Sequence, residues 1–191
     1  MRDALEHRRG YADFFLWQTD RDLEEWGVVT SLGESLAADG QLFFSNLTSR
    51  GRPNDPPDCE ALNPNSERLA IEVTELVDRE AIRQFKKAQK EQRPFDYAEW
   101  TKEKFLNLLQ SRISEKDKRF PKLKGAPYLG GYIVVVHSDE SELNRETVCR
   151  YLDGHRFASA HHITRTFLLL SYDPSVQRCP YFELQLGSQI G

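Results

Sequence analysis

No run of about 18 apolar residues occurs in the 191-residue chain, so it holds no candidate membrane-spanning helix. Cysteine is scarce. Cys59, Cys149 and Cys179 are widely spaced and odd in number, which argues against a metal-ligand cluster or a complete disulfide framework. They suit a reducing compartment, and each reads as a small buried residue. Histidine adds no obvious centre, because His161 and His162 are adjacent and on an extended segment they point apart. The stretch MRDALEHRRGYADFF carries acids and lacks an apolar segment with a small-residue cleavage site, so a cytoplasmic location is expected. A phosphate-cradling P-loop, a dinucleotide glycine fingerprint and serine or cysteine hydrolase signatures are absent as well. Repeats, low-complexity tracts and linkers are also missing. With 39% apolar and 11% aromatic residues, a single domain over residues 1–191 is expected.

What the chain does have is uneven charge. Its net charge of -4 conceals 7 Lys+Arg against 16 Asp+Glu in residues 1–78, then 14 against 7 in residues 79–124. The remainder carries 5 against 7. A basic segment beside an acidic one suits a metal-dependent enzyme acting on a polyanion, with carboxylates for cations and Lys/Arg for phosphates. The same segment also reads as a solvated helical face.

Periodicity and punctuation predict the elements. Asp20 is placed to cap a helix that runs to about Ala38 and stops before Gly40. Gln41 to Thr48 reads as a first strand, followed by a loop whose Arg50 and Arg52 are candidate phosphate contacts. Asp78 caps a helix over about 79–92 that exposes Arg83, Lys86, Lys87 and Lys90. Asp96 with Glu99 has the spacing of a capping box before a second helix, in which Trp100, Phe105, Leu108, Leu109 and Ile113 form an apolar face. Lys116 to Lys124 is assigned to the next connection. Tyr132 to Val136 reads as a strand buried on both faces, residues 142–153 as a helix, and Thr164–Tyr172 with Tyr181–Leu186 as two closing strands.

The chemically specific stretch is Asn54 to Asp78. Leu69 to Val73 has the branched apolar residues of a strand, yet Glu72 interrupts it. Alternation puts Leu69, Ile71 and Val73 on one face and Ala70, Glu72 and Thr74 on the other. Pro56-Pro57 forces an extended approach to Asp58, and Asn63-Pro64 turns the chain back, so a hairpin brings Asp58 beside Glu72.

Pro57-Asp58 followed after a hairpin by Glu72-Val73-Thr74 resembles the PD-(D/E)xK nuclease superfamily, with Thr74 where that motif ends in lysine. The element order is similar to the superfamily's core of a helix, a three-strand meander, a helix and a strand. The resemblance implies an α/β fold with a mixed central sheet flanked by helices, a restriction-endonuclease-like core and a C-terminal strand extension. It further implies Mg²⁺ or Mn²⁺ held by Asp58, Glu72 and the backbone carbonyl of Val73, with DNA or RNA as partner and no membrane. Gly33-Glu34 is similar to the first-helix segment of some subfamilies, where the glutamate faces the metal site. The missing lysine directs attention to the following helix, where Lys86, Lys87 or Lys90 is placed to compensate for it, Lys86 being preferred because it lies roughly two turns into that helix. A catalytically inactive nucleic-acid-binding module and a protein-interaction module with an immunity or regulatory role are the alternatives on the same scaffold.

Overall fold

The computed structural model describes residues 21–93 and 99–187. Asp20 and Asp96 therefore lie outside the described residues. Helix α1 (Arg21–Ala38) buries Val28, Val29, Leu32 and Leu36, one face of a 3.6-residue period. It stops as the glycine predicts: Gly40 sits at φ +68°, with the Gln41 N–H bonded to the Leu36 carbonyl and the Gly40 N–H to that of Ala37. That cap consumes the residues expected to begin the first strand, so β1 (Ser45–Ser49) starts later than Gln41. Phe44 is buried ahead of it, close to Gly33, whereas Leu42 is exposed.

The hairpin forms as expected. Strands β2 (Cys59–Leu62) and β3 (Arg68–Glu75) pair antiparallel, with Cys59 opposite Ile71 and Leu62 opposite Arg68. Asn63 builds the turn, its side-chain oxygen accepting from the N–H groups of Asn65 and Glu67 at 2.9 Å each. Helix α2 (Arg79–Lys90) follows, capped by Asp78 through the N–H groups of Glu80 and Ala81. Helix α3 (Lys102–Asp117) is capped by Thr101, later than the Asp96 spacing indicates.

The remaining elements are β4 (Gly131–Ser138), α4 (Arg145–Leu152), β5 (Arg165–Leu170) and β6 (Tyr181–Glu183). They complete a six-stranded sheet in the order β1-β2-β3-β4-β5-β6. The meander β1-β2-β3 is antiparallel, β3, β4 and β5 are parallel neighbours, and β6 returns antiparallel on β5. Parallel neighbours require crossovers, which α2 with α3 and then α4 supply. The fold is thus α/β with a mixed sheet and flanking helices.

The sheet is covered on both faces. Leu69, Ile71, Val73, Ile133 and Val135 pack with α1, while Ala70, Val134 and Val136 pack with Phe105, Leu109 and Ile113 of α3 and Val148 of α4. β4 accordingly carries the continuous apolar run of a strand buried on two sides. Of the cysteines, Cys59 and Cys179 are buried and Cys149 is exposed on α4. No described helix is long and apolar enough to cross a membrane.

Candidate functional site

The register that sets Cys59 against Ile71 places Asp58, the residue before β2, beside Glu72 of β3. The Val73 N–H donates to Asp58 Oδ2 at 2.7 Å, and the Arg50 N–H donates to the Asp58 carbonyl at 3.0 Å, so both backbone and side chain of Asp58 are fixed. Glu72 is wholly buried on the face covered by α3. A carboxylate there requires a counter-charge.

Lys116 supplies it. Its Nζ lies 2.7 Å from Glu72 Oε2 and 3.7 Å from Asp58 Oδ2, and its side chain is only 6% exposed. Lys116 is therefore not part of a connecting loop but the last inward position of α3, continuing the buried series Phe105, Leu109, Arg112 and Ile113. It falls three residues beyond Ile113 and seven beyond Leu109. That helical spacing was the available signal, obscured because Lys116 also opens a basic run. The Tyr132 hydroxyl donates to the Lys116 carbonyl at 3.0 Å and steadies the final turn. Asp117 adds a strap by accepting from the N–H groups of His161, His162 and Ile163. The two histidines thus contribute backbone donors there, and the His162 ring stacks on Phe120.

The other expected residues are placed as follows. Lys86 is exposed on α2, whereas the ammonium beside Glu72 comes from Lys116. Thr74 is half-buried and lines a cleft of about 450 Å³ at the C-terminal end of β3, together with Val73, Glu25, Lys116 and Arg119. Glu34 is exposed, and the buried glutamate of α1 is Glu25. Nine residues is about two and a half helical turns, so the two glutamates occupy opposite faces. Arg21 Nε holds Glu25 Oε1 at 2.6 Å. Arg50 is committed to Glu60 at 2.6 Å, where Arg68 and the Tyr128 hydroxyl also converge at 2.7 Å, while Arg52 remains exposed.

Burial pushes the Asp58 carboxyl up to about 7, against the opposing pull of Lys116 and the Val73 N–H, with Glu25 and Glu72 adding to the rise. Burial also raises Glu25, and Arg21 opposes the change. It holds the His137 imidazole, at the cleft wall, down at about 4. These two large shifts act oppositely on stability. The Asp58 contribution is complete below the ordinary 3.8 and is lost as pH rises through about 7. The His137 contribution is present above 6.5 and is lost as pH falls through about 4. Between about pH 4 and 6.5 the slopes oppose each other, so Asp58→Asn is expected to gain stability with rising pH more steeply than wild type. Denaturant midpoints across that window check this; parallel profiles for the two proteins would refute it.

Chemically, the arrangement sets two buried carboxylates beside an ammonium, and Lys116, Val73 and Thr74 line the neighbouring polar cleft. Asp58 Oδ1 and Glu72 Oε1 are buried without a hydrogen-bond partner. Among the described residues, no group of three or more His, Cys, Asp or Glu side chains is positioned to hold a metal. The fold and site define an α/β domain with a buried centre of two carboxylates and one lysine. Comparison with protein-family models, curated proteins and solved structures returned no match.

Proposed function

We propose that the protein is a Mg²⁺- or Mn²⁺-dependent nuclease with a restriction-endonuclease-like core. The observation that carries this reading is the approach of Lys116 Nζ to both Glu72 and Asp58, at 2.7 and 3.7 Å. It supplies beside the carboxylates the positive charge that Thr74 lacks. The sheet supports the same reading, since an antiparallel three-strand meander is followed, after helices, by a fourth strand, the element order that the resemblance implies.

The residues present fit a small divalent cation. Asp58 and Glu72 offer hard oxygen atoms without hydrogen-bond partners, the Val73 carbonyl is the third ligand implied by the resemblance, and Mg²⁺ commonly retains several waters beyond one or two carboxylates. A cation bound there supplies Lewis acidity and lowers the pKa of its water toward neutrality. The chain's own groups do the rest. Lys116 neutralises Glu72 in the resting protein and places an ammonium where negative charge develops on a phosphodiester. The Thr74 hydroxyl, on the cleft wall, can hold a water by donating and accepting. The Val73 N–H keeps Asp58 oriented.

One observation favours a second reading. Glu72 is completely buried and already paired, as expected for a catalytically inactive nucleic-acid-binding module. Incubation with single- and double-stranded DNA and RNA, with Mg²⁺ or Mn²⁺, separates the readings through cleavage and retention. The nuclease cuts in a metal-dependent manner, is silenced by Lys116→Ala, and is indifferent to Lys86→Ala. Thr74→Lys brings no gain, because Lys116 already supplies the charge. Salt-sensitive retention without cleavage, weakened by removing Arg83, Lys86, Lys87 and Lys90, identifies the binding module. Neither behaviour removes both readings.

A further inference from the structure

We propose that Arg119 grips the substrate's phosphate at the cleft mouth, its guanidinium exchanging a loose contact with Glu72 for the non-bridging oxygens of a phosphodiester; this rests on reading the cleft as a phosphodiester site. Among the described residues, four cationic side chains line the cleft: Arg21, Arg112, Lys116 and Arg119. Three are committed. Arg21 is bound to Glu25 at 2.6 Å. Arg112 donates to the Glu75 carbonyl and Glu115, both at 3.1 Å, and Lys116 meets Glu72 at 2.7 Å. Arg119 approaches Glu72 Oε1 at 3.9 Å, beyond hydrogen-bond distance, and its side chain is 38% exposed.

A guanidinium carries five N–H donors in a planar fork that matches two phosphate oxygens. Lysine is a point charge and does not provide that match. The backbone at Arg119 is held in place, its N–H donating to the Lys116 carbonyl at 2.9 Å and its carbonyl accepting from Lys122 at 2.8 Å. Exchange therefore needs only side-chain rotation. Arg119 lies one helical turn beyond Lys116, and the two cations face different oxygens of the same carboxylate, Oε1 and Oε2. When Arg119 turns to a phosphate, Lys116 still neutralises Glu72, while Oε1 loses its nearby cation. Phosphate capture and release of Glu72 Oε1 from its second cation are thus one movement. Glu24, Glu25, Glu75 and Glu115 share the cleft walls, so an incoming anion requires a cation able to meet it outside them.

The test measures binding of a short labelled single strand, and of the same sequence as duplex, across a salt series with cleavage followed in parallel. Arg119→Ala is expected to weaken retention about tenfold to a hundredfold, the range for a charge-assisted hydrogen bond. It should also reduce the slope of log K against log salt by about 0.7 for the single strand or 0.9 for the duplex. Arg119→Lys should restore the slope but not the full affinity. Arg145→Ala, which removes an exposed charge at the start of α4, should leave both close to wild type. An unchanged slope in Arg119→Ala, or an equal loss in Arg145→Ala, overturns the assignment. If cleavage still depends on Asp58 and Glu72 in that case, the nuclease reading survives alone. Wild-type protein that neither retains nor cuts nucleic acid overturns both.

Discussion

On the proposed nuclease reading, Glu72→Gln is expected to reduce metal-dependent cleavage by about a thousandfold or more, since a metal ion supplies several kcal/mol of transition-state stabilisation and each 1.36 kcal/mol is tenfold. The substitution keeps the size of the side chain but removes the charged oxygen paired with Lys116. Asp58 remains, with Lys116 Nζ at 3.7 Å. On the same reading, the amide leaves only Asp58 facing the ammonium, too little charge to retain a divalent cation. Single-turnover cleavage in saturating Mn²⁺, on protein whose near-ultraviolet circular dichroism matches wild type, gives the measurement. Residual activity within tenfold of wild type would remove Glu72 from the chemistry and leave it a purely structural partner of Lys116.

The second large effect is on stability. Lys116→Met fills a similar volume but leaves Asp58 and Glu72 buried, and among the described residues the cation still beside Glu72 is Arg119, at 3.9 Å. Breaking a buried pair in this way costs about 3–5 kcal/mol because one charge is left uncompensated. For a chain of this size each kcal/mol moves the melting temperature by about 2–4 °C, so the midpoint should fall by about 6–20 °C. Replacing both partners avoids the uncompensated charge, so Lys116→Met combined with Glu72→Gln should recover much of the loss while remaining inactive. Calorimetry on the two single variants and the double completes the cycle. Additive losses would mean that the 2.7 Å contact is not coupled in solution.

The features legible in the sequence are those that neighbouring residues decide. Asn63-Pro64 and the two-residue alternation of Leu69 to Val73 place Asp58 beside Glu72, because turn chemistry and strand period act over a few residues. The buried strand around Tyr132 to Val136, the Asp78 cap and the stop at Gly40 follow the same logic. Partner choice is different. Glu25 and Glu34 share one helix, and which of them turns inward depends on the face that packs against the sheet, a property of the sheet as much as of the helix. Lys116 stands two helices beyond Glu72 in the chain. A lysine is ordinarily kept at the surface by the cost of desolvating its charge, so its burial becomes favourable only once α3 crosses β3 and brings it to a carboxylate. Short-range sterics and alternation suffice to set the strand pair and its two acids. Which cation meets them follows instead from the packing of distant elements, α3 against β3.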